Sequence, residues 1–398
     1  MRNLFKVAKV TTLALVCTLF LGIGMKAEAA SSVQQVDDSS SSVSISWTGS
    51  AEKYLVEYCQ NKYFSGSTYR YGVAGSNSVR ISGLAAGKSY YVRVRDLDSA
   101  GNMGAPTAAY ETVTAPAGRP AGLKQTKAES KAITMAWNRV SGANAYEIAY
   151  LKHNSSIPWK YVTVKKNISS YRLKTSANSK YSFAVWPARV STTGYVAYGT
   201  SYAYKDKTAT MPGKISKVKM VTSGSSTNPK SGVVYFSWGK NDAVDGYQYE
   251  IFGNNGKKIL SKTTKSYRNV KAVSSKLKNN QFMKIRVRGY ITVNGKKKYG
   301  SWSSSYYFAK FPNIKTKVSG NDLKVSWDKI SGAKNYTVYV SSKATSGYKK
   351  VATTSKKSYT ISNVKSGKSY YLKVVANKKV KSKTYTGDKT WYLRVRIY

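Results

Sequence analysis

The chain has 398 residues, room for two or three average domains or several small ones. With 41% hydrophobic and 21% charged residues, its composition is that of a folding chain and excludes a disordered one. Its 66 Lys and Arg against 17 Asp and Glu give a formal charge of +49, and a single His leaves little material for histidine-based metal or nucleophile chemistry.

Arg2, Lys6 and Lys9 precede an apolar run over residues 10–25, and Ala27-Glu28-Ala29 then supplies small residues for cleavage. This pattern predicts a Sec-type signal peptide over residues 1–29 and a secreted mature chain. The run falls short of the roughly 20 apolar residues that span a bilayer, and no later stretch reaches that length, so no membrane span is expected in the mature chain. Cys17 leaves with the leader. Cys59 then stands alone, an intrachain disulfide is impossible, and each domain must rest on its hydrophobic core.

Beyond the leader the chain repeats. Trp47, Trp137, Trp238 and Trp327 recur at spacings of 90, 101 and 89 residues, each at the end of an alternating segment: Ser-Ile-Ser-Trp, Thr-Met-Ala-Trp, Tyr-Phe-Ser-Trp and Lys-Val-Ser-Trp. A polar turn follows each Trp, and then a strand led by Tyr54, Tyr146, Tyr247 or Tyr336. A further alternating strand comes later in each unit. Tyr90, Val92 and Val94 form the first, Tyr181, Phe183 and Val185 the second, Met283, Ile285 and Val287 the third, and Tyr370, Leu372 and Val374 the fourth. A period of two puts one set toward a core and the other toward solvent. Many short strands separated by turn signals predict an all-β sandwich or barrel.

Units of about 90 residues, with Trp on the second strand and Tyr on the third, resemble fibronectin type III modules, as found in tandem in bacterial secreted proteins. Leu84-Ala85-Ala86-Gly87-Lys88-Ser89-Tyr90 and Val364-Lys365-Ser366-Gly367-Lys368-Ser369-Tyr370 resemble the lead-in to the sixth strand of that family. The resemblance implies four tandem immunoglobulin-like β-sandwiches in an elongated string, at residues 30–115, 116–211, 212–311 and 312–398. Short Pro-containing linkers fall at residues 116–120, 211–213 and 311–313. It also makes Tyr90, Tyr181 and Tyr370 tyrosine-corner residues, bonded back to the chain at the turn between sheets. The third module carries Met283 there, so its corner must be held in another way.

Charge divides the string differently. Residues 31–115 hold seven basic and seven acidic residues; residues 116–211 hold fifteen and three, residues 212–311 twenty and three, and residues 312–398 twenty and three. So large a surplus on modules 2–4 costs self-repulsion, and solubility alone needs far less. It points to anionic partners. The candidate binding residues are Lys284, Arg286 and Arg288 on the outward face of the sixth strand of module 3. Lys296, Lys297 and Lys298 follow the Asn294-Gly295 hairpin turn. Lys378, Lys379, Lys381 and Lys383 occupy the matching loop of module 4, and Arg394 and Arg396 alternate with Tyr392 and Tyr398 on the final strand. Such loops are expected to project from one end of a sandwich.

Teichoic acid, acidic polysaccharide or sulfated glycan at a cell surface would fit these cations, and nucleic acid would bind only non-specifically. Neutral module 1 is left as a spacer or as a site for another protein. No enzyme and no cofactor is expected. His153 sits in a polar stretch that reads as an exposed loop, away from any nucleophile-elbow pattern. Asp37/Asp38, Asp96/Asp98 and Asp242/Asp245 read as turn residues. The sequence therefore predicts a secreted, wall-associated binding or adhesion protein, with an accessory carbohydrate-binding or spacer array as the alternative.

Overall fold

The computed structural model of the chain describes residues 28–66, 68–221, 232–389 and 391–398. Apart from Glu28 and Ala29, the expected signal peptide lies outside these residues. Every regular element among them is a strand, and the strands form eight sheets. The chain is all-β.

Each module pairs a three-stranded sheet with a larger one. In module 1, Ser31–Asp38, Ser42–Thr48 and Ser78–Ser82 form the small sheet, with Ser42–Thr48 central. The facing sheet runs Tyr69–Ala74, Lys53–Cys59, Ser89–Leu97, Tyr110–Val113. The alternating residues meet between them: Val43, Ile45 and Trp47 from one side pack on Tyr54, Val56, Val92 and Val94 from the other. Burying each such side chain is worth about 1.5–3 kcal/mol. The later modules repeat this scheme, each with its own core built on Trp137, Trp238 or Trp327.

The recurring Trp and Tyr form one device. Their rings meet at centroid distances of 5.3 Å (Trp47–Tyr54), 5.4 Å (Trp137–Tyr146), 5.6 Å (Trp238–Tyr247) and 5.5 Å (Trp327–Tyr336). Each phenol oxygen also accepts a backbone N–H from the intervening turn: Ala51 at 3.0 Å, Val140 at 2.9 Å, Asn241 at 2.9 Å and Ile330 at 2.8 Å. Phenylalanine would fill the same space and leave that donor unpaired. Tyr146→Phe is therefore expected to destabilise module 2 by about 1–2 kcal/mol. Urea unfolding checks this, and an unchanged midpoint would count against it.

The tyrosine corners form where expected: the oxygens of Tyr90, Tyr181 and Tyr370 accept the N–H groups of Ala85 (2.8 Å), Ser176 (3.2 Å) and Lys365 (3.0 Å). In module 3, Met283 is buried in the module's own core, while the preceding Phe282 is buried in the core of module 4. The Phe282 N–H donates to Ser331 O at 2.8 Å. The chain at this corner is thus held by the neighbouring module.

The sixth strand is extended in modules 2–4, to Lys180–Val190, Met283–Val293 and Ser369–Val380. Each folds back as a hairpin through Val196–Tyr198, Lys296–Tyr299 or Lys383–Thr386. The chain forms two compact units. One runs through Ala117 and takes in Arg189–Tyr198; the other comprises Gly118–Ala188 and Gly199–Tyr398.

Within the first unit, Glu111 accepts from Ser89 Oγ (2.6 Å) and from the backbone N–H of Thr192 (2.7 Å), and Tyr195 donates to Asp38 (2.9 Å). Burial raises the Glu111 pKa, but the Ser89 and Thr192 hydrogen bonds outweigh it and hold the carboxyl below its ordinary value. Within the second unit, Ile291 and Val293 bury against Ala209, with Ala128 and Met211 beside them. Lys180 pairs with Asp245 at 3.0 Å. Tyr385 packs on Tyr307 at a centroid distance of 4.9 Å. Through Thr192 and Tyr195, Ile291 and Val293, and Tyr385, each hairpin packs against residues of the preceding module.

Candidate functional site

Strand Met283–Val293 lies centrally in its sheet, and its alternation sends Met283, Ile285 and Val287 into the core. Lys284, Arg286 and Arg288 take the other face, half-buried, as the sequence predicts. Arg286 donates to Glu250 Oε2 from Nε (2.9 Å) and Nη2 (2.6 Å) and lies 4.3 Å over the Trp302 ring. Arg288 stands between Trp302 (4.3 Å) and Tyr299 (4.1 Å), and its Nε donates to the neutral Gln248 at 2.8 Å. Lys284 lies 5.2 Å over Phe252. Stacking guanidinium on aromatic rings fixes its plane without cancelling its charge.

Lys258 completes the pairing of Glu250 at 2.8 Å. Burial pushes the Glu250 carboxyl up, but Lys258 and Arg286 outweigh it and hold the group ionised. Among the described residues, Lys284 and Arg288 make no ion pair. The other two acids of module 3 are also engaged, Asp242 by Lys240 and Asp245 by Lys180.

Lys284 also lines a cleft of about 320 Å³ between modules 3 and 4 with Asn254, Phe282, Tyr307, Lys378 and Lys379. Lys378 Nζ donates to Asn254 Oδ1 (3.2 Å) and Gly332 O (3.4 Å), which holds it at the cleft wall. Lys379 is exposed. Three candidate residues from two modules thus meet in one concavity, and Arg286 and Arg288 continue it along the strand for about 13 Å.

The other candidates lie apart. Asn294 (φ 50°) and Gly295 (φ 73°) make the tight turn that the sequence predicts. The three lysines after it do not form one surface. Lys297 pairs with Thr292 and sits 4.7 Å over Tyr290, whereas Lys296 and Lys298 pair with Val293 and Ile291, the residues buried against module 2. The expectation of a freely projecting loop is corrected here: apolar residues on one hairpin arm anchor it, although the lysines themselves stay exposed. Lys381 (φ 51°) forms the turn of the module 4 hairpin, and Lys383 lies 5.0 Å over Tyr385. Arg394 and Arg396 are exposed, with Leu393, Val395 and Ile397 turned inward as expected.

His153 is not the exposed loop residue that the sequence suggests. Its Nε2 lies 2.8 Å from Ser182 Oγ and 3.0 Å from Asp206 Oδ1, while Ser182 Oγ donates to the same carboxylate oxygen at 2.6 Å. That hydrogen bond is the largest of the effects holding the Asp206 carboxyl low. A charge relay places carboxylate and serine on opposite ring nitrogens. Here both sit on one nitrogen and the carboxylate holds the serine proton, so the cluster ties strand ends together. Asp98 likewise closes its own loop on Asn102, at 2.7 and 2.8 Å. Cys59 is buried and donates to Asn61 O at 3.0 Å. Among the described residues no group of three His, Cys, Asp or Glu could hold a metal ion.

Residues 28–113 match the fibronectin type III domain family. Two solved structures of tandem fibronectin type III domains are also similar. A two-domain segment of chicken tenascin is 16% identical, covering 45% of this chain and 99% of that one, with a TM-score of 0.26. The FN1–FN3 domains of chicken CNTN1 are 18% identical, covering 70% of this chain and 97% of that one, with a TM-score of 0.27. No curated protein matches the chain. Modules 2–4 repeat the three-stranded sheet, the Trp–Tyr pair and the two-sheet core of module 1, so the described chain is a tandem of β-sandwiches.

Proposed function

We propose that the chain is a secreted, non-catalytic binding protein whose basic modules 2–4 hold anionic polymers at a cell surface: teichoic acid, acidic polysaccharide or sulfated glycan. A fibronectin type III match suits a binding or spacer role, and the fold by itself implies no activity. The observation that carries the reading is the cationic track from Lys378 and Lys379 through Lys284 to Arg288. Lys284, Arg288 and Lys378 there are held by rings or backbone, while the acids of module 3 are spent on ion pairs with Lys180, Lys240, Lys258 and Arg286.

Most of the basic residues in these modules are Lys, a mobile point charge suited to avid attraction by a charged chain. Several weak modules in one chain gain by multivalency. Such a protein would be wall-associated by charge, with neutral module 1 as a spacer or a site for a protein partner.

A second reading, an accessory carbohydrate-binding array, is favoured by one feature of module 2. Tyr202, exposed, stacks on Trp186 at 4.6 Å, and Tyr204, also exposed, lies near Trp159 at 6.4 Å. Such rings suit neutral sugars. Retention on isolated cell envelopes across a salt series separates the two. The polyanion reading expects release by about 0.5 M salt, where exposed charges are largely screened. Retention that persists there, and on envelopes stripped of anionic polymer, would favour the second reading.

A further inference from the structure

The four modules treat one position of the larger sheet differently. It lies three residues after the buried strand tyrosine, on the face away from the core. In modules 1 and 3 it is Glu57 and Glu250, whose side chains are only 2% and 6% exposed. Cations on adjacent strands clamp each of them. Glu57 meets Arg70 (3.4 Å), Arg93 (2.6 Å) and Arg95 (2.9 Å); Glu250 meets Lys258 and Arg286. In module 2 the position is Ala149, packed with Trp159 and Trp186. In module 4 it is Tyr339, whose partners on either side are Lys350 and Lys373. Arg70 and Arg93 hold those two places beside Glu57. Module 4 therefore keeps the flanking cations and lacks the carboxylate.

The surroundings are those of a seat for an anion with a ring attached. Lys373 Nζ lies 3.7 Å over the Tyr348 ring, and the exposed Arg394 lies 6.0 Å over Tyr371, which packs edge-on against Tyr392 at 5.4 Å. Tyr348 is held in place by its hydroxyl, which donates to Ala344 O at 2.8 Å. Burial pushes the Lys373 ammonium below its ordinary pKa, with Asp388 opposing more weakly. Burial drives the Tyr348 phenol up to about 12, aided by Tyr392 and Tyr371, so it stays neutral. A partly desolvated cation that makes no ion pair among the described residues gains most from an incoming anion.

We infer that this face of module 4 binds one acidic sugar unit, a uronate, whose carboxylate meets the cations flanking Tyr339 as Glu57 and Glu250 meet theirs in modules 1 and 3. Lys373, Lys350 and Arg394 supply the charge, and the Tyr348 and Tyr371 rings supply the surface for the sugar. The choice of carboxylate follows from the flanking cations, whose counterparts hold a carboxylate in module 1. The inference rests on the polyanion reading and narrows it: the track would hold a polymer by charge, and this seat would recognise its repeating unit.

The test uses the full mature chain and a galacturonate trimer, too short to follow the track, with its methyl ester as control, in calorimetric titrations. The free acid is expected to bind and the ester is not. Tyr339→Glu puts the missing carboxylate back, in a seat where the sister modules already fold around it, and is expected to weaken trimer binding about tenfold or more. Lys373→Met keeps the apolar stem and is expected to do the same. Equal binding of acid and ester, or unchanged binding by both variants, would overturn the inference. If a long polyuronate is retained but the trimer does not bind, this inference alone falls; if neither these nor a teichoic acid or sulfated glycan binds, the polyanion reading falls with it.

Discussion

Replacing Lys284, Arg288 and Lys379 together by glutamine should lower the affinity of the full chain for a long acidic polysaccharide by about 10- to 100-fold at low salt. These three carry track charge without making ion pairs among the described residues, so their replacement removes attraction and leaves no buried acid behind. Arg286 is deliberately kept, because removing it would strip Glu250 of a partner. Each cation neutralised should also reduce the slope of log affinity against log salt by about one, so the triple variant should be shallower by roughly three. Surface plasmon resonance across a salt series reads both quantities. Near-UV circular dichroism of the variant is the control that the aromatic packing around Trp302 survives the replacement of Arg288. An unchanged slope would mean that the track is not where the polymer lies.

The second large effect concerns stability. Glu57→Ala should destabilise module 1 by about 3 kcal/mol, because it leaves Arg70, Arg93 and Arg95 facing one another without their shared acid. Arg70 is 59% exposed and relaxes into water; Arg93 and Arg95, at 23% and 21%, cannot do so freely. Burial raises the Glu57 pKa, but the hydrogen bonds and charges of Arg93 and Arg95 outweigh it and leave the group below its ordinary value. A depressed folded-state pKa contributes stability that is fully present above the unfolded-state value. That stability is lost as pH falls through the folded-state value. Acid unfolding of the wild type should therefore carry a Glu57 component below about pH 4. Glu57→Gln should be less stable at neutral pH and lack that component. Denaturant melts from pH 3 to 7 check both, and parallel curves for the two proteins would contradict the assignment.

Much of the fold is legible in the sequence because it rests on local pattern. Alternation of Tyr90, Val92 and Val94 against Tyr91, Arg93 and Arg95 fixes which residues enter the core, and that needs no knowledge of the partner strand. The Trp–Tyr spacing marks the turn that each phenol caps. The tyrosine corners follow from the lead-in residues of the sixth strand.

What stays hidden depends on pairing between distant segments. Ile291 and Val293 look like ordinary members of an alternating hairpin, and nothing nearby says that their inner face is module 2. Phe282 reads as the residue before a strand, yet it fills the core of the next module. His153 meets Ser182 and Asp206 only through two strands that lie 29 and 53 residues away.

The binding residues divide in the same way. Lys284, Arg286 and Arg288 are legible as one outward face, because they share a strand. Their convergence with Lys378 and Lys379 needs the docking of two modules. Glu250 and Trp302, which set the planes of the arginines, carry no signal until the register is known. Lys373 becomes legible only when the four modules are aligned on their strand tyrosines. That alignment places Tyr339 opposite Glu57 and Glu250 and shows where a carboxylate is missing.

The central claim is that the surplus charge of modules 2–4 serves to hold anionic polymer. The most direct measurement is the affinity of the full chain for a polyuronate, and for the same polymer with its carboxylates methyl-esterified, from about 50 mM to 0.5 M salt. The account predicts tight binding to the acid form at low salt, a log–log slope of several units, release of the polymer by the upper end of the range, and no comparable binding to the ester. Equal affinity for both polymers with a slope near zero would contradict it.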